Sequence, residues 1–171
     1  MLVKLKLLEV GIVKIKIVCV GKIKEKYWNE AIKEYMKRLN AYATMEIVEV
    51  ADEKTPDKAS DALEVQIKDK EGKRILTKIH PDDYVALLDL GGKMMSSEEL
   101  STFIADYMMQ AKRALVFVIG GSLGVSQEVR NRADVRICFS KMTFPHQMMR
   151  VILLEQVYRA FKIMKNEPYH K

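Results

Sequence analysis

Two rhythms of apolar residues alternate along this chain. Short apolar runs at residues 14–20, 45–50, 84–89, 115–119 and 135–139 predict five strands. Between them, three- and four-residue spacings predict helices. Trp28, Ile32, Tyr35, Met36 and Leu39 form one apolar face over residues 28–39. Leu100, Phe103, Ile104 and Tyr107 do the same over residues 97–110, where Ser96 and Glu99 have the separation of a capping box. A polar helix is expected over residues 60–79, with Gly72 as its point of interruption, and a short helix is expected from Ser126. The last helix, residues 146–164, is apolar nearly all round. Such a helix is buried on more than one side or lies in a subunit interface, and a homodimer is the expectation.

Strands alternating with helices place the chain in the α/β class. Continuous apolar runs such as residues 85–88 and 115–119 point to a mostly parallel sheet flanked by helices on both faces. With 171 residues, 49% of them hydrophobic, one domain with a full core is expected. No internal repeat or linker interrupts it. In sheets of this kind ligands bind beyond the carboxyl ends of the strands. That rule selects three loops, at residues 90–96, 120–126 and 140–147.

The middle loop reads Gly120-Gly121-Ser122-Leu123-Gly124, where missing side chains let a ligand approach backbone N–H groups. A tight strand-to-helix turn explains the same glycines equally well. In the first loop Asp89 could hold a hydroxyl or cap a turn. The third, Ser140-Lys141-Met142-Thr143-Phe144-Pro145-His146-Gln147, joins a buried strand to the most apolar helix, with Pro145 suited to that helix's first turn. The chain ends Pro168-Tyr169-His170-Lys171, an aromatic, an imidazole and a cation suited to stacking a base, moving a proton and holding a phosphate. Glu155 and Arg159, four apart in the last helix, make either an ordinary exposed pair or something of greater consequence beside a ligand.

Composition narrows the classes. The formal charge is +6, unevenly spread: residues 1–40 carry ten basic and four acidic groups, 141–171 six and two, and 41–113 ten and fifteen. Basic ends around an acidic middle fit a polyanion partner. Lysines 4, 6, 14 and 16 break what would otherwise resemble a signal peptide, and no apolar run is long enough to span a bilayer, so a cytoplasmic protein is expected. Cys19 and Cys138 sit far apart in apolar surroundings, with no metal-ligand spacing around them; they read as reduced core thiols, and no metal is expected.

Several segments together resemble the RlmH family, bacterial pseudouridine N3-methyltransferases of large-subunit ribosomal RNA. They are residues 20–28 (Val-Gly-Lys-Ile-Lys-Glu-Lys-Tyr-Trp), the glycine loop at 120–124, the stretch from Ser140 to Gln147, residues 150–162, and the terminal Tyr169-His170-Lys171. The resemblance runs from Val13 to Lys171. It implies one SPOUT methyltransferase domain over 13–171 with a C-terminal trefoil knot, working as a homodimer on 23S rRNA within the ribosome. Residues 1–12 are then an extension ahead of the usual start. S-adenosyl-L-methionine (SAM) is the implied cofactor, touched by Leu88, Gly120, Phe139, Ser140, Lys141, Met142, Thr143 and Phe144. The implied catalytic residues are His170 for proton removal, Tyr169 for orienting the base and Arg159 for charge stabilisation. Other SPOUT enzymes acting on different RNA, a catalytically silent RNA-binding factor and a flavodoxin-like nucleotide module are the competing readings.

Overall fold

A computed structural model describes residues 12–110 and 112–169. His170 and, apart from Ile12, the expected N-terminal extension lie outside the described residues. The strands are β1 (Val13–Val20), β2 (Ala43–Val50), β3 (Tyr84–Met94), β4 (Leu115–Ile119) and β5 (Val135–Cys138). The helices are α1 (Lys26–Leu39), α2 (Asp61–Leu76), α3 (Ser97–Met108), α4 (Gln127–Arg132) and α5 (His146–Met164). All neighbouring strands are parallel, in the order β2-β1-β4-β3-β5.

Strand side chains alternate between two cores, because successive Cβ atoms point to opposite faces of a sheet. Ile15, Ile17, Cys19, Leu115, Phe117 and Ala86 join Leu39, Ile104, Leu153, Val157 and Phe161 under α1, α3 and α5. Val18, Val20, Val116, Val118, Val85 and Leu87 join Ile75 and Val129 under α2 and α4. Every residue of β4 is buried, the signature of a central parallel strand. Register brings Cys19 and Leu88 level with Ile119, so the ends of β1 and β4 stand in line with the middle of β3.

Side-chain caps start three helices. Ser60, Ser96 and Ser126 accept the N–H groups of Leu63, Glu99 and Val129 at their helix starts. At α3 the capping box closes, with Ser96 N–H donating to Glu99 Oε2 at 2.8 Å. Each such cap contributes about 1 kcal/mol.

The structure departs from the sequence reading in five places. The loop expected at residues 90–96 is largely strand, since β3 runs to Met94 and pairs a second time with β5 through Lys93 and Met94. Gly72 does not interrupt α2; it is buried where that helix meets α4, and a Cβ there would lie 2.2 Å from Ser126 Oγ. Pro145 caps α5 from outside, with φ −55° and ψ 134°, rather than occupying its first turn. The α3 helix stops at Met108 and β5 at Cys138, shorter than predicted. On α5, one side is buried while Met148, Val151 and Ile152 remain half-buried.

Cys19 and Cys138 are both free and buried, and burial pushes the Cys19 thiol up to about 11. At pH 8 an aromatic disulfide reagent is therefore expected to label neither thiol in the native protein and both after denaturation; rapid native labelling would contradict this packing. Gly72→Ala improves helix propensity by up to about 1 kcal/mol, yet its Cβ must displace the Ser126 cap and open the α2–α4 contact. A net loss of about 1–2 kcal/mol in urea unfolding is expected, and an unchanged or raised midpoint would show that Ser126 yields without cost.

Candidate functional site

Because Leu88 of β3 stands level with the ends of β4 and β5, the bulge that follows it and the segments after β4 and β5 enclose a cavity of about 480 Å³. Leu88, Asp89 and Leu90 form one wall, residues 120–125 with Arg130 a second, and residues 137–140 with 142–144 a third. His146 and Met149, in the first turn of α5, complete it.

Within the glycine loop, Gly124 has φ +85° and donates its N–H to the Gly121 carbonyl at 3.0 Å. A Cβ on Gly120 would lie 2.7 Å from Val125 Cγ1 and 2.9 Å from the Gly124 carbonyl oxygen. The turn can close only with hydrogen at that position, leaving bare backbone at the cavity wall. In the third wall, Ser140 Oγ accepts the Met142 N–H at 3.0 Å, a local turn that holds residues 140–142.

Asp89 resolves as a clamp. Its Oδ2 receives Arg130 Nε at 3.3 Å and lies 3.6 Å from Arg136 Nη1, while Oδ1 accepts the Gly91 N–H. One carboxylate thus ties the end of β3 to α4 and β5.

Beside the cavity, Arg150 is 1% exposed. Its Nη1 donates to Glu49 Oε1 at 2.6 Å, and its Nη2 to the carbonyls of Val20 and Gly21 at 2.9 and 2.7 Å. Glu49 Oε1 also accepts the Ile23 N–H at 3.3 Å. The guanidinium therefore fixes the end of β1 and the segment leading to α1. In the sequence, the signal for this task is a lone cation on the otherwise apolar buried stripe of the last helix.

The C-terminal segment forms a second cluster. At Asn166, with φ 51°, the chain turns and lays Tyr169 back along α5. Tyr169 Oη donates to Glu155 Oε2 at 2.7 Å, and Arg159 donates to Glu155 Oε1 through Nε at 2.8 Å. The Arg159 guanidinium carbon lies 4.7 Å from the Tyr169 ring centre, and the Tyr158 ring packs edge-on at 5.0 Å. Burial, then the hydrogen bond to Glu155, raises the Tyr169 hydroxyl well above its ordinary range, so it stays a protonated donor. Glu155 and Arg159 are part-buried, side chains 19% and 26% exposed, and their pairing is more than a solvated helical pair.

Of the residues expected to hold a cofactor, Leu88, Gly120, Phe139, Ser140, Met142, Thr143 and Phe144 all line the cavity. Lys141 does not; its side chain is exposed. Tyr169 and Arg159 meet each other through Glu155, but neither lines the cavity. Helix rise places Glu155 roughly 9 Å and Arg159 roughly 15 Å along α5 from Met149. Among the described residues no group of three or more His, Cys, Asp or Glu side chains could hold a metal ion.

Comparison with known proteins matches residues 13–170 to the family model described as "Predicted SPOUT methyltransferase". Ribosomal RNA large subunit methyltransferase H 1 of Clostridium perfringens (strain SM101 / Type A) is 59% identical over 157 residues, covering 92% of this chain and 99% of the relative. Ribosomal RNA large subunit methyltransferase H of Enterococcus faecalis (strain ATCC 700802 / V583) is 56% identical over 158 residues, with the same coverage. A distant likeness is to the crystal structure of the SpoU methyltransferase AviRb from Streptomyces viridochromogenes in complex with AdoMet. It has a TM-score of 0.42 at 11% identity and covers 88% of this chain and 58% of that one. With a family model spanning nearly the whole domain and full-length relatives of more than half identity, this chain belongs to the SPOUT methyltransferases, in the family of ribosomal RNA large subunit methyltransferase H.

Proposed function

We propose that this protein methylates N3 of a pseudouridine in the subunit-interface hairpin of 23S rRNA, using SAM and acting on assembled ribosomes in the cytoplasm. The observation that carries the reading is the cavity walled by segments at three strand ends, in a chain matched over its full domain to ribosomal RNA methyltransferases. Its residues fit SAM. A volume of about 480 Å³ lies in the range of small-molecule sites, the walls are mostly apolar, and Gly120 leaves bare backbone where a Cβ cannot be accommodated. When bound, SAM supplies a sulfonium methyl that passes to N3 as the S–C bond breaks, leaving S-adenosylhomocysteine.

The protein's own residues handle the base and its proton. N3 must lose its imide proton to become the nucleophile, and His170 is assigned to accept it, since imidazole titrates near neutral pH. The Tyr169 ring orients the base, and Arg159 opposes the negative charge that develops on the imide. Glu155 fixes both, accepting from the tyrosine hydroxyl and the guanidinium. Most of the rate then comes from alignment.

Separation of that cluster from the cavity along α5 supports the homodimer. Within one chain they stand apart, so a second copy, meeting the first through half-buried Met148, Val151 and Ile152, is assigned to bring a tail to its partner's cavity. The family's trefoil knot is supported by the close passage of β5 against residues 89–92, where a Cβ on Gly92 would lie 2.7 Å from the Arg136 and Ile137 backbone. Among the described residues no helix is long and apolar enough to cross a membrane.

Labelled methyl transfer from SAM to ribosomes of a strain lacking the enzyme, followed by nucleoside analysis, tests the reading. Label is expected in 3-methylpseudouridine; transfer to another nucleoside, or none, would overturn the assigned substrate. Under single turnover, Tyr169→Phe is expected to slow transfer about tenfold and Tyr169→Ala or His170→Ala about a hundredfold. Unchanged rates would remove the tail from the mechanism.

A further inference from the structure

Glu71 places a carboxyl where its surroundings offer it little. It is 5% exposed, and its Oε1 accepts the Glu53 N–H at 2.9 Å. Its Oε2 is buried without a hydrogen-bond partner. Arg74, one turn further along α2, is committed to the Glu53 carboxylate and the Ala51 carbonyl. Burial holds the Glu71 carboxyl above the usual range, against the pull of the Glu53 N–H, and Asp52 and Glu53 add to the rise. An unpaired buried oxygen is a cost to the folded state.

The unpaired oxygen faces the glycine loop. A Cβ on Gly121 would lie 2.7 Å from Glu71 Oε2 and 3.3 Å from Val20 Cγ1. The neighbouring residue of α2, Gly72, packs against Ser126 at the other end of the same loop, where a Cβ would meet Ser126 Oγ at 2.2 Å. Consecutive residues of one helix therefore bracket the loop from behind. The two adjacent glycines differ accordingly. Gly120 excludes a side chain because of its own turn, against Val125 and Gly124, whereas Gly121 excludes one chiefly because Glu71 is there. Glu71 itself is not among the residues that line the cavity.

We propose that Glu71 is a positioning residue for the cofactor loop: anchored on the Glu53 amide, its carboxyl fills the space behind Gly121 and sets how residues 120–125 meet the cavity. Together with Gly72, it makes α2 the backstop of a wall to which that helix contributes no lining residue. A carboxyl in a place where an apolar side chain would cost less is explained by this role, since a truncated side chain would leave the loop free to sink toward α2.

The inference rests on the reading of the cavity as a SAM site, and calorimetric SAM titration of the full chain tests both. Glu71→Ala is expected to weaken SAM binding by about fivefold or more at a temperature where its unfolding curve shows the variant fully folded. Glu71→Gln, which keeps the shape and the acceptor for Glu53, is expected to bind within about twofold of the unsubstituted protein. Gly121→Ala should weaken binding about tenfold, and in the double variant Glu71→Ala/Gly121→Ala the two losses should fall short of multiplying, by about threefold or more. Unchanged affinity in Glu71→Ala, a loss that Glu71→Gln shares, or fully multiplicative effects would each overturn the positioning role. If the unsubstituted protein failed to bind SAM, the cofactor reading would fall and this inference with it.

Discussion

Ile137 stands opposite two residues of one neighbouring strand, Leu88 and Lys93. Parallel strands rise about 3.3 Å per residue, so two residues five apart cannot both face one partner unless the chain between them bulges out of the ladder. Residues 89–92 form such a bulge within β3, and Gly92 lies against the backbone of β5 at a separation no Cβ permits. Much of the site follows from this excursion. It puts Asp89 where Arg130 and Arg136 can both reach it, turns Leu90 toward the cavity, and brings the segment after β5 alongside the wall made by β3.

Buried charge around the site is used for placement. Replacing a buried ion pair with apolar packing is often neutral or stabilising, so Arg150 is poorly explained as a source of stability. Its guanidinium gathers two backbone carbonyls at the end of β1 and a carboxylate from β2. Asp89 does the corresponding work for β3, α4 and β5. The rigid sheet supplies the level at which the segments start, and these side chains determine where the segments go.

The C-terminal cluster is organised by Glu155, whose two oxygens divide between Tyr169 and Arg159. The chain is brought back to it by Asn166 in the left-handed region and by Glu167, which accepts from both Tyr42 and Lys162 at 2.6 Å. A terminal segment would otherwise fray. Here a polar network holds it against α5 near the middle of that helix, far along from the turn that touches the cavity.

By itself the sequence determined the α/β class, five strands and five helices close to their observed places, the Ser96–Glu99 capping box and two of the three carboxyl-end segments, those after β4 and β5. Each is written in local spacing: period two or continuous apolar runs for strands, period three to four for helices, and a hydroxyl three residues before a carboxylate for the cap. The resemblance of the glycine loop and the terminal motifs pointed to the family that the comparisons bear out. Tertiary structure decided the rest. Whether Gly72 breaks a helix or admits a neighbour depends on Ser126, fifty-four positions away in the chain. Whether residues 90–94 are loop or strand depends on β5 lying beside them, and the tasks of Arg150, Asp89 and Glu71 depend on partners supplied by other elements. Local pattern records what a segment can become, whereas a close approach between distant backbones leaves only a glycine or a lone buried charge as its trace.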